Sequence, residues 1–150
     1  VLERFLKEGQ GWLENNIEAC RFLAYCRYGL EQGEKALEAF LLSLKYDEPR
    51  AEVCCDIGKH FLDLGRHRLA IFWYELALSR KRNDSSGAFV SDECYGYLPC
   101  IQLCVCYDRL GNHEKAAEYN ERAGLYKPDS EAVQANRKYF SRKGINSGGL

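Results

Sequence analysis

The chain repeats itself. Ala36, Phe40 and Ser43 are followed 34 residues later by Ala70, Tyr74 and Ala77, and Leu23 by Ile57. A further shift of 46 carries Leu64, Gly65, Ala70 and Ala77 onto Leu110, Gly111, Ala116 and Ala123, which is the same 34 plus an insertion of 12. A fixed period of this length restricts the fold to a solenoid, in which each unit completes its core only by stacking on the next. In a 150-residue chain it leaves room for three units and little else.

Within a unit the residues prescribe a pair of antiparallel helices. The second unit reads Ile57-Gly58, Phe61, Leu64-Gly65, Ala70, Tyr74 and Ala77, and the third Leu103, Tyr107, Leu110-Gly111, Ala116, Ala123 and Pro128. The apolar positions recur at helical spacing and face a seam. Small residues let the two helices approach, the glycine supplies the positive φ that ends the first helix, and the proline stops the second. The period and this pattern resemble the tetratricopeptide repeat.

The expected architecture is an all-α, right-handed α-solenoid of about eight helices, with three hairpins and one extra helix at each end. It forms a single domain over 1–143, with repeats at about 17–50, 51–84 and 97–130 and an insertion at about 83–94. A closing helix is expected at about 130–142, capped by Asp129 or Ser130, and a flexible tail at 144–150. Val1, Leu2, Phe5 and Leu6 form an apolar stripe that reads as the second helix of a truncated earlier repeat. The first full repeat departs from the pattern, because its turn glycine reads as Gly33, only three residues before Ala36.

Eight cysteines invite a disulfide or metal reading, and the repeat register answers it. Cys20, Cys54 and Cys100 fall on one position of successive units, Cys26 and Cys106 share another, and Cys104 takes the place of Ala24 and Gly58. These are positions where a small apolar side chain serves packing, as free cysteine does. The Cys100, Cys104 and Cys106 spacing is no familiar zinc pattern, so no metal and no cofactor is expected. His67 and His113 are likewise register-equivalent and belong to the scaffold. A Cys55 and His60 dyad lacks an orienting third group. No glycine-rich phosphate loop and no closely paired aspartates occur, so no catalytic residue is assigned.

Lys plus Arg number 21 and Asp plus Glu 22, a net charge of −1 that gives neither nucleic acid nor an anionic membrane a footprint. No apolar run reaches the roughly 20 residues of a membrane-spanning helix, and the start shows no signal pattern, so the chain reads as cytoplasmic. It has no methionine, even at position 1, and the expectation is a piece of a longer protein. Arg80-Lys81-Arg82 and the Arg137, Lys138, Arg142 and Lys143 cluster read as solvated helix ends, where cations complement the helix dipole.

Candidate binding residues are the first-helix positions that point away from the hairpin seam. They are Arg21, Tyr25 and Tyr28 in the first repeat, Glu52, Cys55, Lys59 and Asp63 in the second, and Ile101, Val105, Asp108 and Arg109 in the third. Asn136 and Tyr139 join them from the closing helix, and Phe89 and Val90 offer an apolar contact in the insertion. Tetratricopeptide modules that clamp a peptide's terminal carboxylate use repeated Lys, Asn and Arg on this face. Ile101 and Val105 stand where polar residues would be needed, so the groove suits an internal peptide segment or a packed domain.

A narrower resemblance covers nearly the whole chain. Pro49-Arg50-Ala51-Glu52, Ala70 to Leu78 with its Trp73-Tyr74-Glu75 segment, Ser86-Gly87-Ala88-Phe89 and Gly96-Tyr97-Leu98-Pro99 carry it. So do Leu103 to Gly111 and the Tyr119-Asn120 to Asn136 region with Lys127-Pro128. Together they resemble the C-terminal region of bacterial family-2 glycosyltransferases that carry tetratricopeptide repeats. The resemblance implies a nucleotide-sugar-dependent transferase domain outside this chain. It also implies a repeat array that binds acceptor, catalytic domain or a second subunit, as a protein or peptide partner or a homo-oligomer. A stand-alone adaptor or regulator that holds a peptide in the groove is the alternative, and a thiol site built on Cys55, His60 and the Cys94 to Cys106 group is a third.

Overall fold

The computed structural model describes residues 1–8, 13–82 and 90–145. They form eight α-helices and no strand: α1 Leu2–Glu8, α2 Leu13–Gly29, α3 Gly33–Leu42, α4 Ala51–Asp63, α5 His67–Ser79, α6 Tyr97–Arg109, α7 His113–Tyr126 and α8 Glu131–Arg142. Short 3-10 turns at Ser43–Lys45 and Asp92–Tyr95 complete the described residues. The chain is an all-α, tetratricopeptide-like solenoid: α2 pairs with α3, α4 with α5 and α6 with α7, while α1 packs on α2 and α8 on α7.

Each first helix ends in the same hydrogen-bonded turn. Gly65 N–H donates to the Leu62 carbonyl and Arg66 N–H to that of Phe61, each at 2.9 Å; Gly111 and Asn112 repeat this on Asp108 and Tyr107 at 3.0 and 2.9 Å. This is the Schellman closure, and it needs a left-handed residue at its centre. Gly65 and Gly111 supply it, with φ of 71° and 82°. In the first repeat the residue is Glu31, with φ 58°, not Gly33, which instead begins α3. Glu31 N–H reaches the Tyr28 carbonyl at 2.9 Å and Gln32 N–H that of Arg27 at 2.8 Å. Residues 31, 65 and 111 keep the spacing of the other register positions, so the departure of the first repeat is one of residue type and not of geometry. Side-chain caps start α7, where Asn112 Oδ1 accepts from Lys115 N–H at 3.2 Å, and α8, where Ser130 Oγ accepts from Val133 N–H.

The interior runs continuously along the array. One apolar cluster joins α2, α3 and α4 through Ile17, Ala24, Ala36, Phe40, Val53 and Ile57, and a larger one runs from α4 to α8. Phe61 and Trp73 pack against both, so each repeat shares its core with its neighbours, as a stacked solenoid requires. Burying side chains the size of Phe40, Tyr74 or Leu103 contributes about 1.5–3 kcal/mol apiece. Cys20, Cys54 and Cys100 are fully buried in successive repeats, the environment their shared register demanded. Cys26 is exposed although its register mate Cys106 is buried.

Polar ties fix the stacking. Arg50, just before α4, makes a two-pronged ion pair to Glu14 at the start of α2. Tyr107 and Tyr119 stack at 5.6 Å and 5°, and both hydroxyls donate to Glu75 on α5. Three of the basic side chains at the helix ends are paired: Arg80 with Glu48, Arg82 with Asp92, and Arg137 with Glu121 through two bonds of 2.8 Å, while Lys81, Lys138 and Arg142 are exposed.

Candidate functional site

Side chains bridge α2 to α4 and α6 to α8. From α2, Arg21 Nε donates to Asp56 of α4 at 2.8 Å and Tyr25 donates its hydroxyl to the other Asp56 oxygen at 2.8 Å. Arg21 also donates to the Tyr25 oxygen at 3.0 Å, which closes a triangle of Arg21, Tyr25 and Asp56. Burial pushes the Asp56 carboxyl above its ordinary value, and the adjacent Arg21 offsets part of that rise. One helical turn on, the Tyr28 hydroxyl bonds to Nδ1 of His60.

Three aromatic side chains of α2 remain open to solvent beside this network: Phe22 at 56 % exposure, Tyr25 at 43 % and Tyr28 at 38 %. Lys59 and Asp63 pair with each other at 2.7 Å on the exposed side of α4. The arrangement is an aromatic strip flanked by a fixed carboxylate, a guanidinium and an ion pair. Such a surface offers stacking, apolar area and hydrogen bonds, and holds no activated nucleophile.

The second group lies between α6 and α8. Cys104, Val105, Asp108, Arg109, Asn136, Tyr139 and Phe140 line an open cavity of about 460 Å³. Tyr139 donates its hydroxyl to both Asp108 oxygens at 3.0 and 3.1 Å, and His113 Nδ1 meets the same carboxylate at 2.6 Å. Asn136 Nδ2 donates to buried Asn120 at 2.9 Å. Arg109 stands exposed at the rim.

Of the sequence candidates, Arg21, Tyr25, Tyr28, Lys59 and Asp63 gather at α2 and α4, and Val105, Asp108, Arg109, Asn136 and Tyr139 at α6 and α8. Glu52 and Cys55 do not belong to the open face. Glu52 is 1 % exposed: its carboxylate accepts Ser91 N–H at 3.0 Å and the Tyr95 hydroxyl at 2.8 Å. Cys55 is buried against the Cys94 carbonyl at 3.7 Å. Both are covered by the end of the insertion, whose 3-10 turn packs on the first half of α4. Ile101 is half-buried against the core. Val90 is half-buried, and Phe89 lies outside the described residues.

Asp56 escaped the sequence reading although it holds the network together. It is one residue round the helix from Cys55, in register with Phe22 and Gln102, and a carboxylate at that position gives no signal until its cation on the neighbouring helix is known. The Cys55 and His60 dyad does not form: Cys55 turns to Cys94, and His60 to Tyr28.

The geometry of α4 and α5 shows which pattern this is. Residues 51–84 match the tetratricopeptide repeat family. The match begins at Ala51, the first residue of α4, and takes in the hairpin with its Gly65 turn. No curated protein matches the chain. Tetratricopeptide repeats serve protein–protein interaction, and an all-helical array of this kind fits a non-catalytic module. Among the described residues no helix is long and apolar enough to cross a membrane.

Proposed function

We propose that this chain is a protein-interaction module whose first-helix face receives a protein segment, and that it is the repeat portion of a bacterial family-2 glycosyltransferase, binding acceptor, catalytic domain or a second subunit. The observation that carries the first part is the exposed strip of Phe22, Tyr25 and Tyr28 on α2, held beside the Arg21 and Asp56 pair. Aromatic anchors next to a charged rim are the composition of protein-recognition surfaces. The cavity between α6 and α8 continues that face, with Val105 offering apolar contact and Arg109 and Asn136 polar ones. The second part is supported by the extended sequence resemblance, which includes the insertion as well as the repeats.

The coding sequence upstream of Val1 tests the parentage: a transferase domain supports it, and a start codon directly upstream removes it. With that domain in hand, titration calorimetry against this chain tests the interaction. Phe22→Ala combined with Tyr28→Ala should weaken binding at least about tenfold, the scale of hot-spot truncations. A chain that binds neither catalytic domain, nor acceptor protein, nor itself would overturn the reading.

A further inference from the structure

One position of the repeat carries an aromatic ring in two repeats and none in the other. Trp73 holds it on α5 and Tyr119 on α7, while the same place on α3 is Ala39. In the third repeat Tyr119 stacks on Tyr107 of α6 at 5.6 Å and 5°, and the Arg122 guanidinium lies 4.9 Å from the centre of its ring. The counterparts of Tyr107 are Phe61 in the second repeat and Arg27 in the first. Phe61 and Trp73 pack against the apolar clusters on both sides of them.

In the first repeat the ring is missing and a cavity stands in its place. Leu6 of α1, Leu23 and Arg27 of α2, and Ala39 and Leu42 of α3 line an open space of about 500 Å³, within the range of ligand pockets. Arg27, Ala39 and Leu42 are the counterparts of Tyr107, Tyr119 and Arg122, so the space lies where the third repeat has its stacked ring. Its wall carries a fixed cation. Arg27 Nη2 donates to Glu3 of α1 at 2.7 Å and Nη1 to the Lys35 carbonyl at 2.8 Å, which holds the guanidinium from two sides. A guanidinium held this way attracts the negative face of an aromatic ring, a complementarity that an aliphatic side chain lacks. The cavity opens to solvent, so a ring can enter while attached to its own backbone, and Glu38 and Lys45 are exposed at the rim to meet the flanking residues.

We propose that the cavity between α1, α2 and α3 is a second docking site, which takes an aromatic side chain, tryptophan by preference, from a segment of a partner protein. The guest ring replaces the one that Trp73 and Tyr119 supply from within the chain, and it stacks on Arg27 as Tyr119 stacks on Tyr107. Leu6, Leu23 and Leu42 cover its edges with apolar surface. No described residue of the first-helix face lines this cavity, so the two sites stand or fall separately.

The test is an NMR titration of the whole chain, labelled with nitrogen-15, against a capped pentapeptide with a central tryptophan, its central-leucine counterpart, and free indole. The tryptophan peptide should shift the amides of Leu23, Arg27, Ala39 and Leu42 saturably, and bind at least about threefold more tightly than the leucine peptide. Ala39→Trp supplies the missing ring from within and should abolish those shifts. Arg27→Leu should weaken the tryptophan peptide about two- to fivefold and leave the leucine peptide unchanged. Phe22→Ala with Tyr28→Ala should not alter the titration; shifts lost in that variant would assign the peptide to the first-helix face and overturn the proposal. No shift at the four amides, equal binding of the two peptides, or shifts that survive in Ala39→Trp would overturn it as well. So would binding of indole without the peptide, which makes the cavity a small-molecule site, and shifts on raising protein concentration alone, which give it to a second copy. The wild-type titrations and Arg27→Leu decide the matter if Ala39→Trp fails to fold.

Discussion

Tyr74 lies directly over Gly58: a Cβ built on that glycine would stand 2.9 Å from the ring, with two further ring carbons at 3.0 and 3.1 Å. Tyr74 is 1 % exposed and cannot swing aside. The same two register positions hold Ala24 and Phe40 in the first repeat and Cys104 and Asn120 in the third.

Gly58→Ala should therefore destabilise the protein even though alanine is the better helix former. The gain of about 1 kcal/mol in helix propensity is outweighed by an overpacking cost of about 1–3 kcal/mol. A net loss of up to about 2 kcal/mol is expected from denaturant unfolding, and Tyr74→Leu in the same chain should recover part of it. Gly96→Ala is the control: its Cβ would meet Tyr126 at 2.4 Å, but Tyr126 is largely exposed and can move off. It should cost less than Gly58→Ala.

Glu31 is the one non-glycine residue with positive φ among those described. It holds the left-handed place that Gly65 and Gly111 hold in the other repeats, at a steric cost of about 1–2 kcal/mol. Glu31→Gly removes that cost and gives back about 0.5–1 kcal/mol through the greater freedom of the unfolded chain. A net stabilisation of about 0.5–1 kcal/mol is expected, seen as a rise of a few degrees in Tm. Gly65→Ala, in open space but at φ 71°, should lose about 1 kcal/mol by the same reasoning.

The helices were legible because small and aromatic residues return at a fixed period, and a helix pair that must nest cannot vary them freely. The turn of the first repeat was not, because Gly33 offered the expected residue type two positions from the place where the backbone needed it. Tyr25 and Tyr28 of α2 and Tyr139 of α8 are exposed, as their outward spacing predicts, whereas the first half of α4 was misread. Glu52 and Cys55 obey the outward spacing of their helix, and only the return of the insertion after residue 89 shows that something covers them. A register argument sees what repeats, and the insertion occurs once.

Glu52 is the anchor of that cover. Removing its carboxylate leaves the Ser91 N–H and the Tyr95 hydroxyl without their acceptor, at a cost of about 1–3 kcal/mol for buried polar groups. Glu52→Ala should lower stability by that amount and raise hydrogen exchange selectively in residues 90–95. If the exchange rose equally in α7 and α8, the carboxylate would be a general core element and not the anchor of this segment.

His60 gives the fold a pH dependence whose sign follows from its surroundings. Burial lowers its pKa below the ordinary 6.5, and Asp63 and Glu34 offset only part of that. The folded state prefers the neutral ring, with Nδ1 taking part in the bond to Tyr28. Its contribution is therefore fully present above about pH 6.5 and is lost as pH falls through the lower folded value. Stability should decline between about pH 7 and pH 5, above the range where carboxylates dominate. The substitution to test is His60→Cys, since Cys26 and Cys106 occupy the same register position in the neighbouring repeats. A cysteine has no charge to gain in that window, so urea midpoints of the variant should fall less between pH 7 and pH 5 than those of the wild type. An NMR titration placing the His60 ring at or above 6.5 would contradict the burial on which this rests.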